Sequence, residues 1–92
     1  MVQIKPDDLI LNYFPTGGHK NGFGSWRLGR ADNEDQRFPS DQNLKELFSE
    51  KNPRGELHIG SRGVNHVMLF LPVGVSKTVR QKFLSAVANY VT

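Results

Sequence analysis

Apolar residues in this chain gather mostly after Leu44, and their spacing alternates between helical and extended periods. Leu44, Leu47 and Phe48 fall at i, i+3 and i+4, which places them on one face of a helix. Ser40 stands before them as an N-cap, Asp41 suits the positive end of the helix dipole, and Asn52-Pro53 ends the element. Two β-rich runs come next, Gly55 to Gly60 and Val64 to Leu71, joined by Ser61-Arg62-Gly63. The pattern predicts a hairpin with a three-residue loop, Gly63 supplying a left-handed residue. In that hairpin Leu57, Ile59, Val67, Leu69 and Leu71 share a core-facing side. Ser76 caps a final helix, in which Val79, Phe83, Val87, Tyr90 and Val91 form the apolar stripe while Lys77, Arg80, Gln81 and Lys82 take the start and the wet side.

The first half is less regular. Pro6, Asp7 and Asp8 resemble a helix first turn, predicting a short helix over Pro6 to Phe14, with a strand as the competing assignment. Pro15 stops it, and Thr16 to Gly22 reads as a polar, glycine-dense loop. Phe23 to Leu28, centred on Trp26, reads as a strand; Gly29 to Glu34 turns the chain, and Gln36 to Phe38 offers a short second strand before Pro39. These elements predict an α+β fold: a small antiparallel β-sheet packed against two or three helices, as a single domain over residues 1–92.

Length supports one core only, since 92 residues cannot bury two. With no cysteine, disulfide and thiolate chemistry are excluded, any metal site would need His and carboxylate ligands, and an intracellular setting is expected. The start of the chain lacks the long apolar stretch of a secretory signal, and the longest apolar run, Val67 to Val75, is too short for a membrane span and holds Pro72 and Gly74. Twelve Lys and Arg against nine acidic residues give a net charge of +3, which biases the surface toward polyanions.

Catalytic patterns are weak. Gly17 to Gly24 is glycine-rich like a phosphate-cradling loop but lacks the GxxxxGK[ST] order and the helix that must come after it. In a three-residue hairpin His58 and His66 face each other, with Glu56 as a third polar group; a polar stripe is the expected role, and a metal-assisted nuclease the enzymatic alternative. Asp7-Asp8 and Asp32, Glu34 and Asp35 sit where carboxylates cap or solvate, so no catalytic residue, metal or cofactor is expected. The feature that points to a partner is arginine on protruding segments: Arg27 and Arg30 near the end of the Trp26 strand, Arg54 before the hairpin and Arg62 at its tip, with Lys20 in the glycine-rich loop. A guanidinium pairs bidentately with phosphate or carboxylate and stacks on flat rings, a role lysine fills less well. Phe23 and Trp26 beside Arg27 suggest a stacking platform, although core packing is the expected fate of Trp26.

Taken whole, from Met1-Val2-Gln3-Ile4-Lys5 to Asn89-Tyr90-Val91-Thr92, the chain resembles the small phage-encoded anti-CRISPR proteins, among them inhibitors of the type I-F surveillance complex. These share no signature motif, so no residue carries over. The resemblance implies a non-enzymatic inhibitor in the host bacterial cytoplasm that docks on Cas subunits of a type I CRISPR surveillance complex, with guide RNA as a further contact, and blocks binding or hybridisation of target DNA. The alternative is an autonomous nucleic-acid-binding phage regulator using the same basic residues.

Overall fold

In the computed structural model, the residues described are 5–15, 19–31, 38–53 and 55–90, with the side chains of His19 and Lys20 outside that description. Their elements are a 3-10 turn at Pro6–Asp8, strands β1 (Leu9–Tyr13), β2 (His19–Lys20) and β3 (Phe23–Arg30), helix α1 (Asp41–Lys51), strands β4 (His58–Arg62) and β5 (His66–Pro72), and helix α2 (Lys77–Tyr90). The sheet is antiparallel throughout, in the order β1-β3-β5-β4. The short β2 also pairs with β3, beyond the end of β1. This is the α+β arrangement predicted, with two α-helices.

Strand alternation divides the sheet cleanly. Leu9 and Leu11 of β1, Trp26 and Leu28 of β3, Val67, Leu69 and Leu71 of β5, and Ile59 of β4 face the helices and join the core. From the helices, Leu44 and Phe48 of α1 meet Phe83, Val87 and Ala88 of α2; the Phe48 and Phe83 rings pack edge to face with centroids 5.4 Å apart. Phe38 and Leu57 complete the core from the connecting segments.

The caps expected of Ser40 and Ser76 are present. Ser40 Oγ accepts the Asn43 N–H at 3.2 Å, and Ser76 Oγ accepts the Val79 N–H at 3.1 Å. Tyr90 departs from the predicted apolar stripe: it is half exposed, and its hydroxyl accepts a hydrogen bond from the Asn43 side chain, tying the end of α2 to α1. Ala88 and Leu84 take the inward positions instead.

Two corrections concern the first half. The Pro-Asp-Asp start closes only a single 3-10 turn, after which the chain extends as β1, so the strand assignment replaces the helix over Pro6 to Phe14. The glycine-rich loop contains a second hairpin: Lys20 pairs with Phe23 across Asn21-Gly22, with Gly22 at φ 81°, the left-handed geometry that Asn-Gly turns require. Phe38 is buried but lies outside any strand, and Gln36 lies outside the described residues.

The β4–β5 hairpin also differs in register. The Gly63 N–H donates to the His66 carbonyl, leaving Val64-Asn65 as a two-residue loop, and Gly63 has no positive φ. His58 pairs with Phe70 rather than His66, and a bulge at Gly60 shifts the ladder so that Ser61 meets Met68 and Arg62 meets Val67. What Gly63 does provide is room: a Cβ there would collide with the His66 ring.

Candidate functional site

The second face of the sheet carries the complementary set of side chains. From β3 these are Phe23, Ser25 and Arg27, opposite Pro72, Phe70 and Met68 of β5; Ile10 and Asn12 come from β1, and His58 and Ser61 from β4. Neither α-helix packs on this side: the apolar residues of both join the core beneath the opposite face. Beyond His66, strand β5 is therefore apolar on both sides, a pattern normally found where two layers sandwich a strand.

The face is graded. At one end Phe23 and His58 meet edge to face, centroids 4.9 Å apart, above β5. The Phe70 ring leans over the Gly60 bulge, so that a Cβ at Gly60 would come within 3.1 Å of Phe70 Cε2. Phe14, 40% exposed, stands at the rim; its N–H donates to the Ser25 carbonyl, which continues the strand pairing past Tyr13. Between Phe14, Phe70, Met68 and His66 lies a shallow depression of about 500 Å³ with Ser25 in its floor. Toward the other end the Arg27 guanidinium lies above Gly29, where a Cβ would be 3.3 Å from Arg27 Nη1. His66, opposite Gly29, flanks it, its Nδ1 3.2 Å from Asn65 Oδ1. No carboxylate or carbonyl of another described residue pairs with Arg27. One end thus presents flat rings and the other a half-buried cation.

Of the basic residues expected to contact a partner, the three whose side chains are described, Arg27, Arg30 and Arg62, lie apart. Arg27 is on the face away from the helices, and Arg30, by alternation, on the helix side opposite Leu9. Arg62 is not at a hairpin tip. The Gly60 bulge returns it to the helix side, where Nη2 donates to the Pro39 carbonyl and to Asp41 Oδ1, both at 2.8 Å, pinning the start of α1 to the edge strand. Arg54 lies outside the described residues, as does the side chain of Lys20. His58 Nε2 approaches Glu56 Oε1 at 3.3 Å, but the register separates this pair from His66. Among the described residues no three His, Asp or Glu side chains gather as metal ligands.

Sequence reasoning passed over Met68, Phe70 and Phe14. The signal was present in β5, where Met68 and Phe70 interleave with the core residues Val67, Leu69 and Leu71 and leave His66 as the one polar residue of the strand. It also passed over Arg80, assigned to the wet side of α2 but found with its guanidinium 4.7 Å from the Trp26 ring centroid.

The class defined by these features is an antiparallel sheet with helices on one face and an aromatic, partly cationic second face. No family model, curated protein or solved structure matches the chain.

Proposed function

We propose that this protein is a non-enzymatic binding domain that takes single-stranded nucleic acid on the face of its sheet away from the two helices. The observation that carries the reading is the placement of Phe23, Phe70 and Arg27 on the two central strands, on the side away from both helices. Unpaired bases stack on aromatic side chains whatever their sequence, and an arginine further along the same face binds phosphate or stacks in turn. With eight residues in β3 the face is about 27 Å long, enough for roughly three nucleotides. A double helix hides its base faces and cannot use such a surface. The net charge of +3 acts in the same direction.

The biological setting we propose comes from the anti-CRISPR resemblance: the strand engaged would be guide RNA within a type I surveillance complex, with Cas subunits completing the interface. The sheet supports the class of ligand; the resemblance alone supports the complex.

Fluorescence anisotropy with a labelled ten-nucleotide RNA tests the first statement. Binding should favour the single strand over a duplex of the same sequence, and Phe70→Leu, which keeps apolar bulk but removes the ring, should weaken it about tenfold. Equal affinity of the variant, or of the duplex, would refute it. Retention of the protein on a purified type I-F complex tests the second, and no retention, with or without guide RNA, would remove that setting.

A further inference from the structure

On the helix-facing side, at the β1 edge of the sheet, a second concavity of about 410 Å³ opens between Tyr13, Trp26, Arg80 and the turn from Pro72 to Val75. Local structure builds its walls. Tyr13 and Trp26 pair across β1 and β3, their rings 5.4 Å apart and inclined at 59°. Gly24 keeps the floor flat, since a Cβ there would lie 3.2 Å from the Tyr13 ring. On the far side the Val75 N–H donates to the Pro72 carbonyl at 3.1 Å, and Gly74, at φ 84°, makes the turn that holds Val73 out, 75% exposed.

Arg80 is the one lining residue that carries a full charge. Its guanidinium is stacked on Trp26, and its Nε is buried without a hydrogen-bond acceptor among the described residues. Stacking engages one face of a guanidinium and leaves its in-plane N–H groups directed outward, the geometry that receives an oxyanion bidentately. The Nε itself is closed to solvent, so the Nη groups are the donors open to an acceptor in the cleft. The volume falls within the range of small-ligand sites.

We propose that this cleft binds a small aromatic carboxylic acid, its ring among Tyr13, Trp26, Val73 and Val75 and its carboxylate on Arg80. A single cation amid apolar walls matches a monoanion; a phosphate dianion would call for more donors than the lining supplies. The cleft lies across the sheet from Phe70 and Arg27, so this inference and the nucleic-acid reading stand or fall separately.

Trp26, the sole tryptophan, reports directly on the cleft. Titration with phenylacetate should change its fluorescence saturably, and phenylacetamide, of the same shape but uncharged, should bind at least about tenfold more weakly. Arg80→Gln should abolish the distinction between acid and amide. Val73→Glu places a competing carboxylate at an exposed wall position without touching the core, and should weaken phenylacetate while leaving the fold intact by circular dichroism. Acid and amide titrating alike on the unaltered protein, or no saturable change up to about 10 mM phenylacetate, would overturn the proposal.

Discussion

Arg62 shows how one side chain can be fixed by geometry that its neighbours in sequence conceal. Between Ser61 and Gly63 it reads as a free cation on a loop, yet its guanidinium bridges the Pro39 carbonyl and Asp41. Both groups are partly solvated, with side-chain exposures of 36% for Arg62 and 56% for Asp41, so the ion pair itself is weak and most of the effect lies in the half-buried bond to the carbonyl. Arg62→Ala should therefore destabilise the fold by about 1 kcal/mol in urea melts and leave ligand affinity unchanged. Loss of binding without loss of stability would instead make Arg62 a contact residue. Gly63 offers a second residue-level test. Gly63→Ala drives a methyl group into the His66 ring and should cost about 1–3 kcal/mol, while in the His66→Ala background the same change should cost far less. A double-mutant cycle with no coupling would show that the ring can swing aside freely.

At the scale of elements, the sequence specified whatever depends on local chemistry. Ser40 and Ser76 cap their helices, Asn52-Pro53 ends α1, and Leu57, Val67, Leu69 and Leu71 turn inward as their alternation implies. Ser40→Ala should cost about 1 kcal/mol, read as a shift of the urea midpoint at unchanged slope. Two elements failed for identifiable reasons. Pro6-Asp7-Asp8 is a genuine helix-start signal, but a single 3-10 turn satisfies it, and the alternation of Leu9 and Leu11 makes the next stretch a strand. Asn21-Gly22 is a strong hairpin signal that was submerged in a run of other turn residues. Register failed differently. A bulge is invisible to alternation, and the one at Gly60 sets Arg62 on the helix side, while a loop at Val64-Asn65 in place of Ser61-Arg62-Gly63 parts His58 from His66. That is why the residue types of the candidate site were legible while their grouping was not: Arg27 and Phe23 were singled out, but their partners Met68 and Phe70 come from a strand 40 or more residues away, aligned only by the β3–β5 ladder.

At the scale of the whole molecule, the question is whether charge or stacking dominates ligand binding, and salt separates the two. Each phosphate neutralised on a single strand contributes a slope of about −0.7 in the logarithm of affinity against the logarithm of salt. The face away from the helices presents one arginine among the described residues, Arg27, amid rings and small polar groups, while Arg30 and Arg62 point to the other side and Arg62 is already paired. One neutralised phosphate is what such a face can make, so the slope for a short RNA should be about −0.7, and Arg27→Gln should bring it close to zero. Phe70→Leu should lower affinity at every salt concentration and leave the slope as it is, because stacking releases no counterions. A slope steeper than about −4 would require six or more phosphate contacts, which one arginine cannot supply, and would assign binding to a basic surface elsewhere on the chain.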